Sequence, residues 1–271
     1  MKKIRTLFLV FIFPILAFAL EVKPWFGDVY EFSLLSKYAF SFFSEINSPS
    51  RPITKTYYKN LLYFDLEFPF SPQWSTDIDL QFVESTNQSF DYSTLALQFR
   101  YLWLDDIVGD FASLSTGGYM RYTATKTVDD FTCPYHGDVE GSLNCSVGKE
   151  IDYFEYWRYR FWAYGALGLA NRGSLWLDGY FGVDGNYEDK HKWSLFLQGS
   201  QGYGKDSILN VDNFKGYGRV RYSFLDLNIR YGCQLGVWGT VRFEYQRRIL
   251  SKRYPSNENL FSISYLLPFS F

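Results

Sequence analysis

Long hydrophobic runs are missing from this chain: beyond its first twenty residues no apolar stretch approaches the roughly 18 residues of a membrane-spanning helix, which removes helical spans. Histidine is scarce, with only His136 and His191 to serve as a general base. Neither has a nucleophile signature beside it. His136 has no G-x-S-x-G nearby, and Ser194, three residues after His191, points to the opposite face of any strand. Cysteine is also scarce, at three: Cys133, Cys145 and Cys233. Cys133, His136 and Cys145 are ligand types without the paired spacing of a metal site, so neither a metal nor a cofactor is expected. A charge excess is lacking as well, 27 basic against 29 acidic residues, which argues against nucleic acid as a partner.

Aromatic residues and alternation are what the chain has in quantity. Phe, Tyr and Trp make up 21% of it. Such residues suit the two interfaces of a membrane, where an amphipathic ring is at home. A secreted β-sandwich with an aromatic core is the alternative, but alternation on nearly every segment fits apolar side chains outside and polar ones inside.

The amino terminus carries Lys2, Lys3 and Arg5, then an apolar run from Leu7 to Leu16, then Ala17-Phe18-Ala19. This is the layout of an export signal, and the run is too short and too broken by Pro14 to span a bilayer. The expected organisation is a signal peptide over residues 1–19 and one domain over residues 20–271.

Period-two segments follow at about Val29 to Ile46, Thr56 to Phe68, Trp74 to Val83, Thr94 to Trp103, Phe111 to Thr125, Ile151 to Ala166, Ser174 to Asp184 and Lys192 to Gln198. Further segments cover Tyr217 to Tyr231, Val237 to Gln246 and Asn257 to Phe271. Between Tyr217 and Tyr231 the polar face moves from odd to even positions, which calls for a bulge near Ser223 and Phe224. These are eleven strands, and a barrel with both ends on one side needs an even number. A short strand at Ser207 to Val211 is the expected twelfth, and ten is the alternative count.

In the last segment Phe261, Ile263, Tyr265, Leu267, Phe269 and Phe271 occupy alternate positions, with Ser262, Ser264 and Ser270 between them. This ending resembles bacterial outer-membrane β-barrel proteins, whose final strand typically closes on Phe after alternating hydrophobic residues. The resemblance implies an all-β, antiparallel up-and-down transmembrane barrel of porin-like kind. It also implies that Ile263, Tyr265, Leu267, Phe269 and Phe271 form the signal read by the barrel-assembly machinery. Outer-membrane lipid is then a partner, and both termini face the periplasm. Short turns at Pro72, Asp106, Asn171 and Gly236 are expected on that side, and longer loops, Lys126 to Glu150 above all, outside.

Two groups of charge fall on the inward faces. Asp65, Glu67, Asp77 and Asp79 lie on neighbouring strands, and Arg158, Arg160, Arg219, Arg221, Arg230 and Arg242 lie elsewhere on the wall. Separated walls of opposite sign across water suit a channel for small hydrophilic solutes. A lumen filled by ion pairs, such as Asp226 with Arg242, would instead make a plugged structural or surface-interaction barrel, and a lipid-acting enzyme is a third possibility. Cys133 and Cys145 are the candidate disulfide of the long loop. The sequence leaves the identity of the solute and the oligomeric state open.

Overall fold

The computed structural model describes residues 22–47, 49–50, 55–154 and 156–270. The expected signal peptide and Phe271 lie outside these residues. Fourteen strands occur in chain order: β1 Glu31–Phe43, β2 Glu45–Ile46, β3 Tyr57–Ser71, β4 Trp74–Ser85, β5 Asp91–Leu104, β6 Ser113–Thr123 and β7 Val139–Tyr153. They continue with β8 Trp157–Ala170, β9 Trp176–Tyr187, β10 His191–Gly202, β11 Ser223–Gln234, β12 Thr240–Lys252, β13 Pro255–Ser256 and β14 Asn259–Ser270. All except β2 and β13, which pair only with each other, form one antiparallel barrel of twelve strands closed between β1 and β14. Closure leaves no edge strand with unpaired backbone groups.

Alternation sorts the side chains as expected. On β4, Ser75, Asp77, Asp79 and Gln81 are buried inside, while on β5 Leu95, Leu97 and Phe99 are exposed outside. A belt of rings runs around the end that carries the termini. Phe269, Phe32, Phe68, Phe70, Trp74, Tyr101 and Trp103 contact one another in that order, at centroid distances from 4.5 to 6.4 Å.

The closing strand explains its own serines. Ser264 lies between Lys37 and Arg242, and Ser262 lies between Ala39 and Glu244. Both serines are buried and small. Lys37 on β1 therefore reaches over β14 to Glu244 on β12, 3.2 Å away.

Four expectations require correction. The twelfth barrel strand is β7, inside the stretch Lys126 to Glu150 that reads as loop, whereas Ser207 to Val211 belongs to the connection between β10 and β11. The Asn171 turn follows β8 and lies at the loop end of the barrel, opposite the turns near Pro72, Asp106 and Gly236. No bulge sits at Ser223 and Phe224, because Arg219 and Arg221 precede the strand. The register shifts instead where Leu225 faces Leu250 and Asp226 faces Arg248, so Ile249 is the extra residue.

The disulfide is the fourth. Cys133 is buried in the connection between β6 and β7, whereas Cys145 is exposed on the outer face of β7, and both are free thiols. Once β7 is a strand, the parity of position 145 turns its thiol outward through the wall and away from Cys133.

Candidate functional site

Two segments enter the barrel, one from each end. From the terminus end comes the strap Val22 to Gly27. Val22 O accepts from Ser146 Oγ at 2.6 Å and Lys23 O from Arg100 Nη1 at 3.0 Å, while Lys23 Nζ lies 2.9 Å from Asp184. Trp25 Nε1 donates to Asp106 Oδ1 at 2.8 Å, and the Arg160 guanidinium lies over its ring. Gly148 makes room for this ring: a Cβ there would come within 2.5 Å of Trp25 and 2.9 Å of Pro24.

From the loop end comes the connection between β6 and β7, which starts with one helical turn, Thr125–Val128. Lys59 Nζ donates to Thr132 O at 3.0 Å, Ser85 Oγ donates to Asp130 at 2.5 Å, and the Tyr135 hydroxyl donates to Gln81 Oε1. The His136 ring stacks on Trp176 at 4.6 Å, with Nδ1 3.3 Å from Glu140 and Nε2 2.6 Å from the Tyr222 hydroxyl. Above it Phe131, Leu209, Phe214, Tyr217, Val220, Tyr222 and Tyr254 form an apolar cap drawn from three connections. Part of the aromatic content that suits membrane interfaces is thus spent on a core among the loops.

Between strap and loop lies a cavity of about 460 Å³, adjoined on the terminus side by another of about 450 Å³ that shares Lys23, Ser33, Glu67, Arg230, Arg242 and Leu266 with it. Together they form a polar chamber along the lumen.

The predicted charges fall into three classes. Asp65, Glu67 and Asp79 line the central cavity, and Asp77 is fully buried beside them. Arg100 stands within this acidic group, only 2% exposed, with Asp77 at 3.2 Å and Glu67 at 2.9 Å. The acidic wall is thus part-neutralised by its own strand neighbour, β5. Arg230 pairs with Glu244 at 2.6 Å, Arg242 lines both cavities, and Arg158 and Arg160 reach Glu150 at 3.3 and 2.6 Å in the terminus-side cavity. Arg219 and Arg221 are exposed on the connection between β10 and β11, outside the lumen, and are removed from the site.

One central residue is absent from the sequence-based set. Arg248 donates to both oxygens of Asp226, at 2.8 and 2.9 Å, and to Glu258 at 2.5 Å, with its guanidinium 4.6 Å from each of the stacked rings of Phe224 and Tyr254. It displaces Arg242 as the expected partner of Asp226. Inward parity runs through Arg242, Glu244 and Gln246 to Arg248, so period two does signal it, but the run read as a loop from that residue onward.

Burial acts to raise the Glu258 carboxyl, but Lys59 and Arg248 outweigh it and hold the group below the ordinary glutamate range. The Cys133 thiol is pushed up, first by burial and then by Asp130, which makes it a poor thiolate and an inert side chain.

No protein-family model matches the sequence, and comparison with curated proteins gives no match. Solved structures do match. The chain is similar to the COG4313 outer membrane channel from Pseudomonas putida F1, with a TM-score of 0.62 at 10% identity over 93% of this chain and 99% of that one. It is similar to the NanC porin, with a TM-score of 0.52 at 8% identity over 88% and 98%. It is also similar to the KdgM porin in complex with disordered oligogalacturonate, with a TM-score of 0.50 at 8% identity over 88% and 99%. At such identities the likeness is one of architecture, and this chain has the closed, antiparallel, up-and-down barrel fold of outer-membrane channels.

Proposed function

We propose that the protein is a porin-like channel of the bacterial outer membrane, passing small hydrophilic solutes. The supporting observation is the polar chamber along the axis of a barrel whose outer wall is apolar. Apolar side chains facing lipid and charged ones facing water are what a spanning barrel requires. In this reading the terminus end, with the strap and the shorter turns, faces the periplasm, and the apolar cap faces outward. The closing strand, with Phe269 and Phe271, is the segment presented to the barrel-assembly machinery.

The channel is narrow. Strap and loop reduce the lumen from both ends, and the half-buried pair Lys37–Glu244 and the buried pair Arg248–Asp226 stand on the wall between them. Wide general diffusion does not fit these contacts. A plugged surface barrel is the second reading, favoured by the cap over the loop end. Purified protein in a planar bilayer distinguishes the two: small, discrete single-channel steps are expected, and a flat trace from correctly folded protein rejects transport.

A further inference from the structure

We infer that the central chamber is a binding site for a neutral polyhydroxylated ring, a mono- or disaccharide, an inference that rests on the proposed channel for the ligand's route to the site. Four polar atoms carry it. Asp79 Oδ2, Gln98 Oε1, the Tyr119 hydroxyl and Arg121 Nε are buried on the chamber wall without a hydrogen-bond partner among the described residues. Asp79, Gln98 and Tyr119 are 3%, 2% and 6% exposed. Buried polar groups are ordinarily satisfied, so four bare ones on one patch of wall ask for a ligand.

The register brings them together. Gln98 on β5 is the direct partner of Tyr119 on β6, and one row along the barrel Asp79 and Arg121 flank Ala96 from either side. Ala96 is small and buried in a cluster with Tyr119, with Tyr63 packed against it, so these rings border the carboxylate and the guanidinium. Arg121 is held by the rings of Tyr119 and Tyr135, at 4.8 and 5.2 Å, and by Glu140 at 3.7 Å, which leaves Nε free to donate.

The donor and acceptor pattern selects the ligand. Asp79 and Gln98 offer acceptors, Arg121 offers a donor, and Tyr119 does either. An amine would serve the acceptors and leave Arg121 bare. A carboxylate would serve Arg121 but, having only acceptors, would leave Gln98 Oε1 bare. Neighbouring hydroxyls of one ring donate and accept at once, and so satisfy all four. Tyr63, Tyr164 and Tyr180, also on the chamber wall, add aromatic faces for the C–H surface of such a ring. The cavity of about 460 Å³ lies in the size range of small-molecule sites.

Titration calorimetry on the full chain in detergent, with glucose and sucrose as probes and gluconate and spermidine as charged controls, tests this beside conductance measurements. Saturable heat is expected with at least one neutral sugar, with the charged probes at least about tenfold weaker. Gln98→Met and Tyr119→Phe, each checked for normal heat-modifiable folding, should weaken sugar binding about tenfold by removing one hydrogen bond. Should one variant misfold, the other carries the test. No heat with either sugar means that water alone fills the chamber and overturns the inference, as does tighter binding of gluconate or spermidine, or unchanged affinity in a folded variant. Conductance without sugar binding removes the site and leaves the channel, whereas sugar binding without conductance removes the channel and leaves the site.

Discussion

Glu258 is pulled in two directions, by burial toward the neutral form and by Lys59 at 3.5 Å and Arg248 at 2.5 Å toward the charged one, and charge prevails. A carboxyl whose folded pKa is depressed contributes stability above its unfolded value, about 4.3, and that contribution disappears as pH falls through the folded value. Urea unfolding of the detergent-solubilised barrel should therefore show a loss of stability between pH 5 and pH 3 that Glu258→Gln reduces; equal slopes for the two proteins reject the assignment. At this scale the sequence marks the side of the wall well and the partner poorly. Period two places Lys37, Asp65, Arg230 and Glu244 inside, where they are found. It assigns Asp226 to Arg242 because the glycines centre the turn on Gly232 to Gly236, whereas pairing starts at Gln234 and Thr240 and runs in one register to Asp226 and Arg248.

Among the elements, β7 shows what alternation hides. Its outward positions include Val139, Leu143, Val147 and Ile151, but Gly141, Cys145 and Lys149 lie between them, so the apolar face is half strength. Its inward positions, Glu140, Ser142, Asn144 and Ser146, are the polar and small types that also make loops. The segment therefore read as loop, with Cys133 and Cys145 as its candidate disulfide, and only pairing with β6 and β8 overrides that reading. The strap Val22 to Gly27 had no sequence signal at all, because it is fixed by Gly148, Arg100 and Arg160 on distant strands. Trp25→Ala removes its anchoring ring, a change worth about 3–5 kcal/mol where a large side chain is fully packed. That cost falls on the strap rather than on the barrel, since a terminal segment opens locally. The expected result is a larger single-channel conductance at nearly unchanged barrel stability; the wild-type step size would show that the strap does not limit the path.

The barrel wall follows one rule, apolar outward and polar inward, and that rule was legible on most of the strands, the Gly- and Ser-rich β6 and the half-strength β7 excepted. The strand number was also legible, although the position of the twelfth was not. The sequence could not show that loops from different parts of the chain share an apolar cap, since Phe131, Phe214, Tyr217 and Tyr254 meet only in three dimensions. At this scale the prediction concerns biogenesis. Deleting Phe271, or replacing it with Asp, should leave export intact and sharply lower the amount of heat-modifiable, membrane-inserted protein, seen as a shift in electrophoretic mobility between unheated and boiled membranes. Normal insertion of the truncated chain refutes the role given to the closing strand.

The seam between β1 and β14 sets a timetable. Glu31 and Ser270 are partners from opposite ends of the chain. A ring of strands has no satisfactory intermediate, because any incomplete set keeps two bare edges, and contacts so far apart in sequence are slow to form. β1, synthesised first among the strands, must hold one edge unpaired until the last strand arrives. The interval between those two events is the period in which the chain is most open to wrong pairing, and it ends only when Phe32 meets Phe269.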